Sequence, residues 1–257
     1  MRAARATSNV APIQLECPVT GELVDSAPLL ITCEFGALRD RLARDGYIYL
    51  KAALERGAVR TAGRSVEQFL AANQLNLDGR GITLTGLEAV THSVPMLDVL
   101  EGAALRRIFD ALFDERGKTL STKWARVVGA GEQTSVHSDA FFFDAAAEPS
   151  SPSASMLVCW TPLDDCPRDS GPLALAVGSH LLDGFHNGGG GGCELPSGFE
   201  VATAEWRTAS FSAGDALIFH IRCVHGSLPN RTPTRRISVD TRWYPASVEI
   251  GSGRGGK

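Results

Sequence analysis

The chain has 257 residues, 44% of them hydrophobic and 21% charged. That is the balance of a globular protein able to bury a sizeable core, and it excludes disordered and collagen-like architectures. Twenty-five Lys and Arg against 29 Asp and Glu leave a net charge of -4 with no basic block, so nucleic acid is not an expected partner. No stretch nears the roughly 18 consecutive apolar residues of a membrane span and no secretory signal opens the chain, so an intracellular, cytoplasmic protein with no membrane partner is expected.

The opening MRAARATSNVAP is basic and free of acids. It reads as a disordered leader, with an organelle transit peptide as the alternative. Cysteines at 17, 33, 159, 166, 193 and 223 show neither CxxC nor zinc-finger spacing, so reduced thiols are expected. In FGALRDRLARDGYIYLK, apolar residues at 35, 38 and 42 predict a helix, broken at Gly46 before an alternating strand. The segments AALERGAVRTAGRSVEQFLAANQ and MLDVLEGAALRRIFDALFDE each predict one further amphipathic helix.

After Gly117 the texture changes to short apolar runs, KWARVV, SMLVCW, DALIFH and RISVDTRW, punctuated by Gly, Pro, Ser and Asp. Runs at this spacing predict a sandwich or barrel. The Pro/Ser-rich stretch 145–155 and the glycine run within 186–198 read as flexible connections. The chain is thus expected to form a single domain, 1–257. Its parts are a leader over 1–34, a mostly helical support region over 35–120, a strand-rich core over 121–245 and a flexible tail over 246–257.

The chemistry is carried by GEQTSVHSDAFFF, where His137 and Asp139 stand at i and i+2. Alternate side chains of an extended strand share one face with Cα atoms roughly 6.6 Å apart, close enough for both to ligate one metal. Alone, an HxD pair is more often an ordinary surface hydrogen bond. Downstream, a Gly-Asp turn leads into an apolar strand and then His225, which can complete a two-histidine, one-carboxylate set with three coordination positions open to iron(II) chemistry. Beyond it stand Arg235 and Arg236, on opposite faces of a strand. One guanidinium could grip a carboxylate with two parallel bonds, and spacing alone does not choose between them.

These blocks, in order, resemble the phytanoyl-CoA dioxygenase family of iron(II)- and 2-oxoglutarate-dependent oxygenases. They are HSD at 137–139, WTPLDDCPRDSGPLALAVGSH from Trp160 to His180, the Gly-Asp strand from Phe211, HGSLPN from His225, and Arg236. The resemblance implies a mainly β fold, a double-stranded β-helix (jelly-roll, cupin-like) core with N-terminal and flanking helices. It implies His137, Asp139 and His225 as iron ligands, and Arg236 rather than Arg235 as the clamp on the distal carboxylate of 2-oxoglutarate. Ser227 is implied as a hydroxyl partner of that carboxylate and Trp160 as a wall residue. Lys123, Arg126 and Gln133 fall where the family contributes cosubstrate or substrate contacts.

His180 and His220 read as loop-fixing and sheet-face histidines, and the Phe141–Phe143 run as core packing. The function implied is hydroxylation of a small metabolite using Fe(II), 2-oxoglutarate and O2. Retention of Asp139 argues against halogen transfer, because related halogenases replace that carboxylate with a small residue. A non-catalytic metabolite-binding barrel and a zinc-dependent hydrolase are the alternatives. The hydrolase lacks an evident general base and leaves Arg236 unexplained.

Overall fold

Gly46 ends a helix and starts a strand because its backbone takes φ = 82°, a left-handed conformation that favours glycine. The computed structural model describes residues 13–15, 19, 21–73, 75, 82–84, 87–140, 155–184 and 195–250. In these, the first strand is β1 (Gly21–Glu22), and helices α1 (Ala27–Ile31) and α2 (Phe35–Asp45) lead to β2 (Tyr47–Leu50). Helix α3 (Arg56–Ala72) follows, capped by the Glu55 carboxylate, which accepts from the backbone N–H of Gly57 and Ala58. It buries Val59, Ala62, Val66 and Leu70 along one stripe.

After β3 (Ile82–Thr83) and α4 (Glu88–Thr91), the single helix expected over 96–115 is two helices, α5 (Val94–Leu100) and α6 (Ala103–Phe113). The break falls at Gly102, where a Cβ would lie 2.1 Å from the Asp98 carbonyl oxygen. Only a residue without a side chain permits this turn.

The remaining strands are β4 (Gly117–Thr119), β5 (Trp124–Val128), β6 (His137–Ser138), β7 (Leu157–Pro162), β8 (Leu173–Ala176), β9 (Trp206–Thr208), β10 (Ala216–His220), β11 (Val224–Ser227) and β12 (Arg236–Pro245). They form two sheets. One has the order β1-β9-β8-β11-β6; the other runs β2-β10-β7-β12-β5-β3, with β4 also paired to β12. All pairs are antiparallel except β1 with β9. This is the expected jelly-roll, and it recruits β2 and β3 from the largely helical first half.

Strand alternation divides the apolar residues into layers. Tyr47, Tyr49, Trp160, Leu217 and Phe219 join Leu173 and Leu175 of the other sheet in the interior cluster. Ile48, Leu50, Cys159, Ile218 and Trp243 point outward, against α3, α5 and α6. A third cluster of Val136, Ala174, Ala176 and Val224 covers the outer face of the smaller sheet with Leu15 and Trp206. Strand β12 breaks the apolar rule along its inner face: Arg236, Ser238, Asp240 and Arg242 are all buried there.

Part of the segment expected to be a leader, residues 21–31, carries β1 and α1; residues 1–12, 16–18 and 20 lie outside the described residues. Of the expected tail, Ala246 and Ser247 are tied to Arg116 and Glu115, and 251–257 lie outside. Phe141–Phe143, His186 and most of the two expected flexible connections also lie outside. Cys33, Cys159, Cys166 and Cys223 are free thiols, and Cys17 and Cys193 lie outside the described residues. Among the described residues no helix is long and apolar enough to cross a membrane.

Candidate active site

Strands β6 and β11 pair at the edge of the smaller sheet with His137 directly opposite His225. Asp139 follows one residue after β6. Each of the three residues offers a ligand atom, and these atoms lie within 4.8 Å of one another, all buried. The His137 Nδ1 lies 2.8 Å from the Ser135 carbonyl oxygen and the His225 Nδ1 lies 3.0 Å from that of Cys223. A carbonyl can only accept, so each Nδ1 carries the proton and each Nε2 presents a lone pair. Burial, with the neighbouring His137 ring adding to it, pushes His225 down to about 3, so its ring is neutral at physiological pH.

Burial alone would raise the Asp139 carboxyl, but the Arg242 guanidinium and the two imidazoles outweigh it and hold the group well below the usual carboxylate range. Two imidazole lone pairs and an ionised carboxylate therefore converge with His137 Nε2 only 3.6 Å from Asp139 Oδ1. Three acceptors face one another, and a divalent cation between them would satisfy all three; this donor set suits a first-row metal with open positions.

The three side chains border a small, partly open cavity whose wall includes Trp160, Ser227 and Arg236. Arg236 enters from the first position of β12. Its Nη1 donates to the Gly171 carbonyl oxygen at 2.6 Å, its Nε has no hydrogen-bond partner among the described residues, and its guanidinium carbon lies 5.8 Å from the centre of the Trp160 ring. Burial pulls it down to about 10, which leaves it charged at neutral pH. Among the described residues no carboxylate lies within ion-pairing distance of it. A buried, uncompensated guanidinium is costly, and an anionic ligand is what would offset that cost. Ser227 Oγ accepts from Thr134 N–H at 2.7 Å, which frees its own proton for an acceptor in the cavity.

Arg235, on the other face, lines a separate groove with Glu67 and Asp164. Gln133 does not line the cavity; it lies in an adjacent open groove that shares Arg126 and Thr134 with it. Arg126 lines both, with Nε 3.6 Å from Asp240 Oδ1. Lys123 is not on the approach to the site: its ammonium is buried and tied to Glu101 at 2.9 Å, Thr119 Oγ1 and the Leu120 carbonyl, which holds the α5–α6 turn to β5. His180 Nε2 bonds the Ala43 carbonyl at 3.0 Å, and His220 Nδ1 accepts from Arg222 N–H; neither lines the cavity. Sequence reasoning passed over Asp240 and Arg242. The signal was the polar set at every second position of RISVDTRW.

The family model described as Phytanoyl-CoA dioxygenase (PhyH) matches residues 42–238, well over half of the chain. The chain belongs to the PhyH family. It is an iron(II)- and 2-oxoglutarate-dependent oxygenase. Among its relatives, a 1-deoxypentalenic acid 11-beta-hydroxylase of Streptomyces arenae is 28% identical, covering 90% of this chain and 87% of the relative. One of Streptomyces exfoliatus is also 28% identical over the same shares. The epimerase SnoN in complex with Fe3+, alpha ketoglutarate and nogalamycin RO superposes with a TM-score of 0.64 at 22% identity, covering 85% of this chain and 86% of SnoN. EctD from S. alaskensis, with 2-oxoglutarate and 5-hydroxyectoine, gives 0.60 at 21% identity, covering 96% and 86%.

Proposed function

We propose that this PhyH-family oxygenase hydroxylates an unactivated C–H bond of a small, largely apolar metabolite, with His137, Asp139 and His225 as the iron ligands. Arg236 and Ser227 take the distal carboxylate of 2-oxoglutarate. The observation that carries the reading is the pairing of two unmet demands in one cavity: three converging acceptors at one place and a buried guanidinium without an acid at another. A hydrolytic zinc site would account for the first demand only.

When bound, iron(II) with 2-oxoglutarate and O2 supplies the oxidising power, converting the keto acid to succinate and CO2 and delivering one oxygen atom to a C–H bond. The chain's part is placement. The Ser135 and Cys223 carbonyls hold the imidazoles in the ligating tautomer. Trp160, held edge-to-face by Phe211 at 5.0 Å, walls the side beneath Arg236. On the opposite side, around Arg242, the interior continues as Met156, Val158 and Ile221, with Leu120 and Trp124 partly exposed beside them. Within the cavity wall, Val158, Leu173 and Phe219 offer apolar contact to a hydrocarbon skeleton, and the hydroxylases named above are named for 1-deoxypentalenic acid.

The test is anaerobic loading with iron(II) and 2-oxoglutarate followed by air. Slow succinate formation is expected without any added substrate, and faster formation with small cyclic or apolar acids. Folded, iron-loaded protein that yields no succinate with a broad panel overturns the proposal.

A further inference from the structure

The Asp139 carboxylate points its two oxygens at different partners. Oδ1 lies 3.6 Å from His137 Nε2, whereas Oδ2 accepts from Arg242 Nη2 at 2.5 Å. Arg242 is itself buried and donates through Nη1 to Asp240, two residues earlier on the inner face of β12. Its guanidinium carbon lies 3.7 Å from the centre of the Trp124 ring. The fork is therefore fixed by two carboxylates and an aromatic face. It stands on a central strand paired on one side with β7 and on the other with β5 and β4.

We infer that Arg242 is a positioning residue that restricts Asp139 to a one-oxygen bond with the metal and so keeps coordination positions open for small molecules. This rests on the metal reading of His137, Asp139 and His225. A carboxylate can ligate through one oxygen or both. Here the second oxygen already accepts a charge-assisted bond in a water-poor interior. Chelation by both oxygens would draw Oδ2 toward the metal and away from Arg242, weakening a buried charge-assisted bond.

Asp139 needs such a constraint because it stands beyond β6, a strand of two residues that pairs, among the described residues, with β11 alone. Lysine could not replace the fork: a single ammonium does not span two carboxylates while stacking on Trp124. A purely structural ion pair would support the barrel equally well without touching the metal, and the two roles are separable by experiment.

The experiment compares wild type, Arg242→Lys and Arg242→Gln as full chains. Cobalt(II) is the spectroscopic probe and melting of the metal-free protein is the folding control. Both variants are expected to bind cobalt ten- to a hundredfold more weakly. Their visible and X-ray absorption spectra should change as Asp139 adds its second oxygen. If Arg242→Gln does not fold, Arg242→Lys, which keeps the buried charge, decides on its own. Unchanged affinity and spectrum in a folded variant overturn the inference alone. Failure of wild type to bind cobalt or iron(II) overturns the metal reading, and the inference with it.

Discussion

His137 and His225 sit opposite one another across β6 and β11 with ring centres 4.2 Å apart, and each is oriented by the carbonyl two residues before it. This i−2 bond is available because a strand residue's ring can fold back along its own chain, so the strand pairing and the tautomer are set together. Metal should therefore bind the folded state alone. At a free-metal concentration near a hundred times the dissociation constant, about 2.7 kcal/mol of added stability is expected for wild type. Asp139→Ala and His225→Ala should lose that increment, which thermal melting with and without cobalt(II) measures. An equal rise in a variant would refute the ligand assignment.

Arg236 and Arg235 are adjacent in sequence and differ in what they face. Charge-assisted hydrogen bonds contribute about 1.5–3 kcal/mol each, so Arg236→Met should weaken 2-oxoglutarate binding by roughly ten- to a hundredfold. Arg235→Met should leave it unchanged. Titration calorimetry of the metal-loaded protein separates the two, and equal effects would remove the clamp role from Arg236.

Gly46 is constrained twice over. Its φ is 82°, and a Cβ there would lie 2.5 Å from His180 Nδ1 and 2.6 Å from Cys223 Sγ. Gly46→Ala combines backbone strain of about 1–3 kcal/mol with overpacking of similar size. A loss of at least about 2 kcal/mol is expected in urea unfolding, and a smaller one would show that the α2–β2 corner yields. Because Cys223 precedes β11, the His225 strand should also shift, which the cobalt spectrum would report.

What was legible in the sequence is what local periodicity and spacing encode. The HxD pair, the later histidine and the change of texture after Gly117 are local signals: they marked His137, Asp139 and His225 as candidate ligands and a sandwich or barrel as the fold, and the family resemblance narrowed both. Lys123 shows the limit: its position before the HSD strand suggested cosubstrate contact, but Glu101 arrives from the α5–α6 turn, and no local pattern announces that pairing. The helix break at Gly102 was hidden by an apolar stripe continuous through it. Arg242 was hidden differently, since RISVDTRW reads as an ordinary half-exposed strand until both of its faces are found buried. Polar residues on a doubly buried strand mark a site, but double burial is a tertiary fact.

Behind the cavity wall, a stack runs from Trp160 through Phe211 to Tyr49, with Phe211 edge-on to both rings. Tyr49 ends it by donating to Asp215 Oδ2 at 2.7 Å. Burial, reinforced by that bond to a carboxylate, pushes the Tyr49 phenol far above its ordinary value. A raised native pKa means that the associated stability is complete below the unfolded value, near pH 10, and declines as pH rises beyond it. The decline is about 1.4 kcal/mol per pH unit, because the unfolded phenol ionises while the native one does not. Tyr49→Phe lacks this term. It should be about 1 kcal/mol less stable than wild type at pH 8, and the gap should close or reverse by pH 11. Urea midpoints at pH 8, 10 and 11 measure it; a gap constant across that range would show that the native phenol titrates as it does in the unfolded chain.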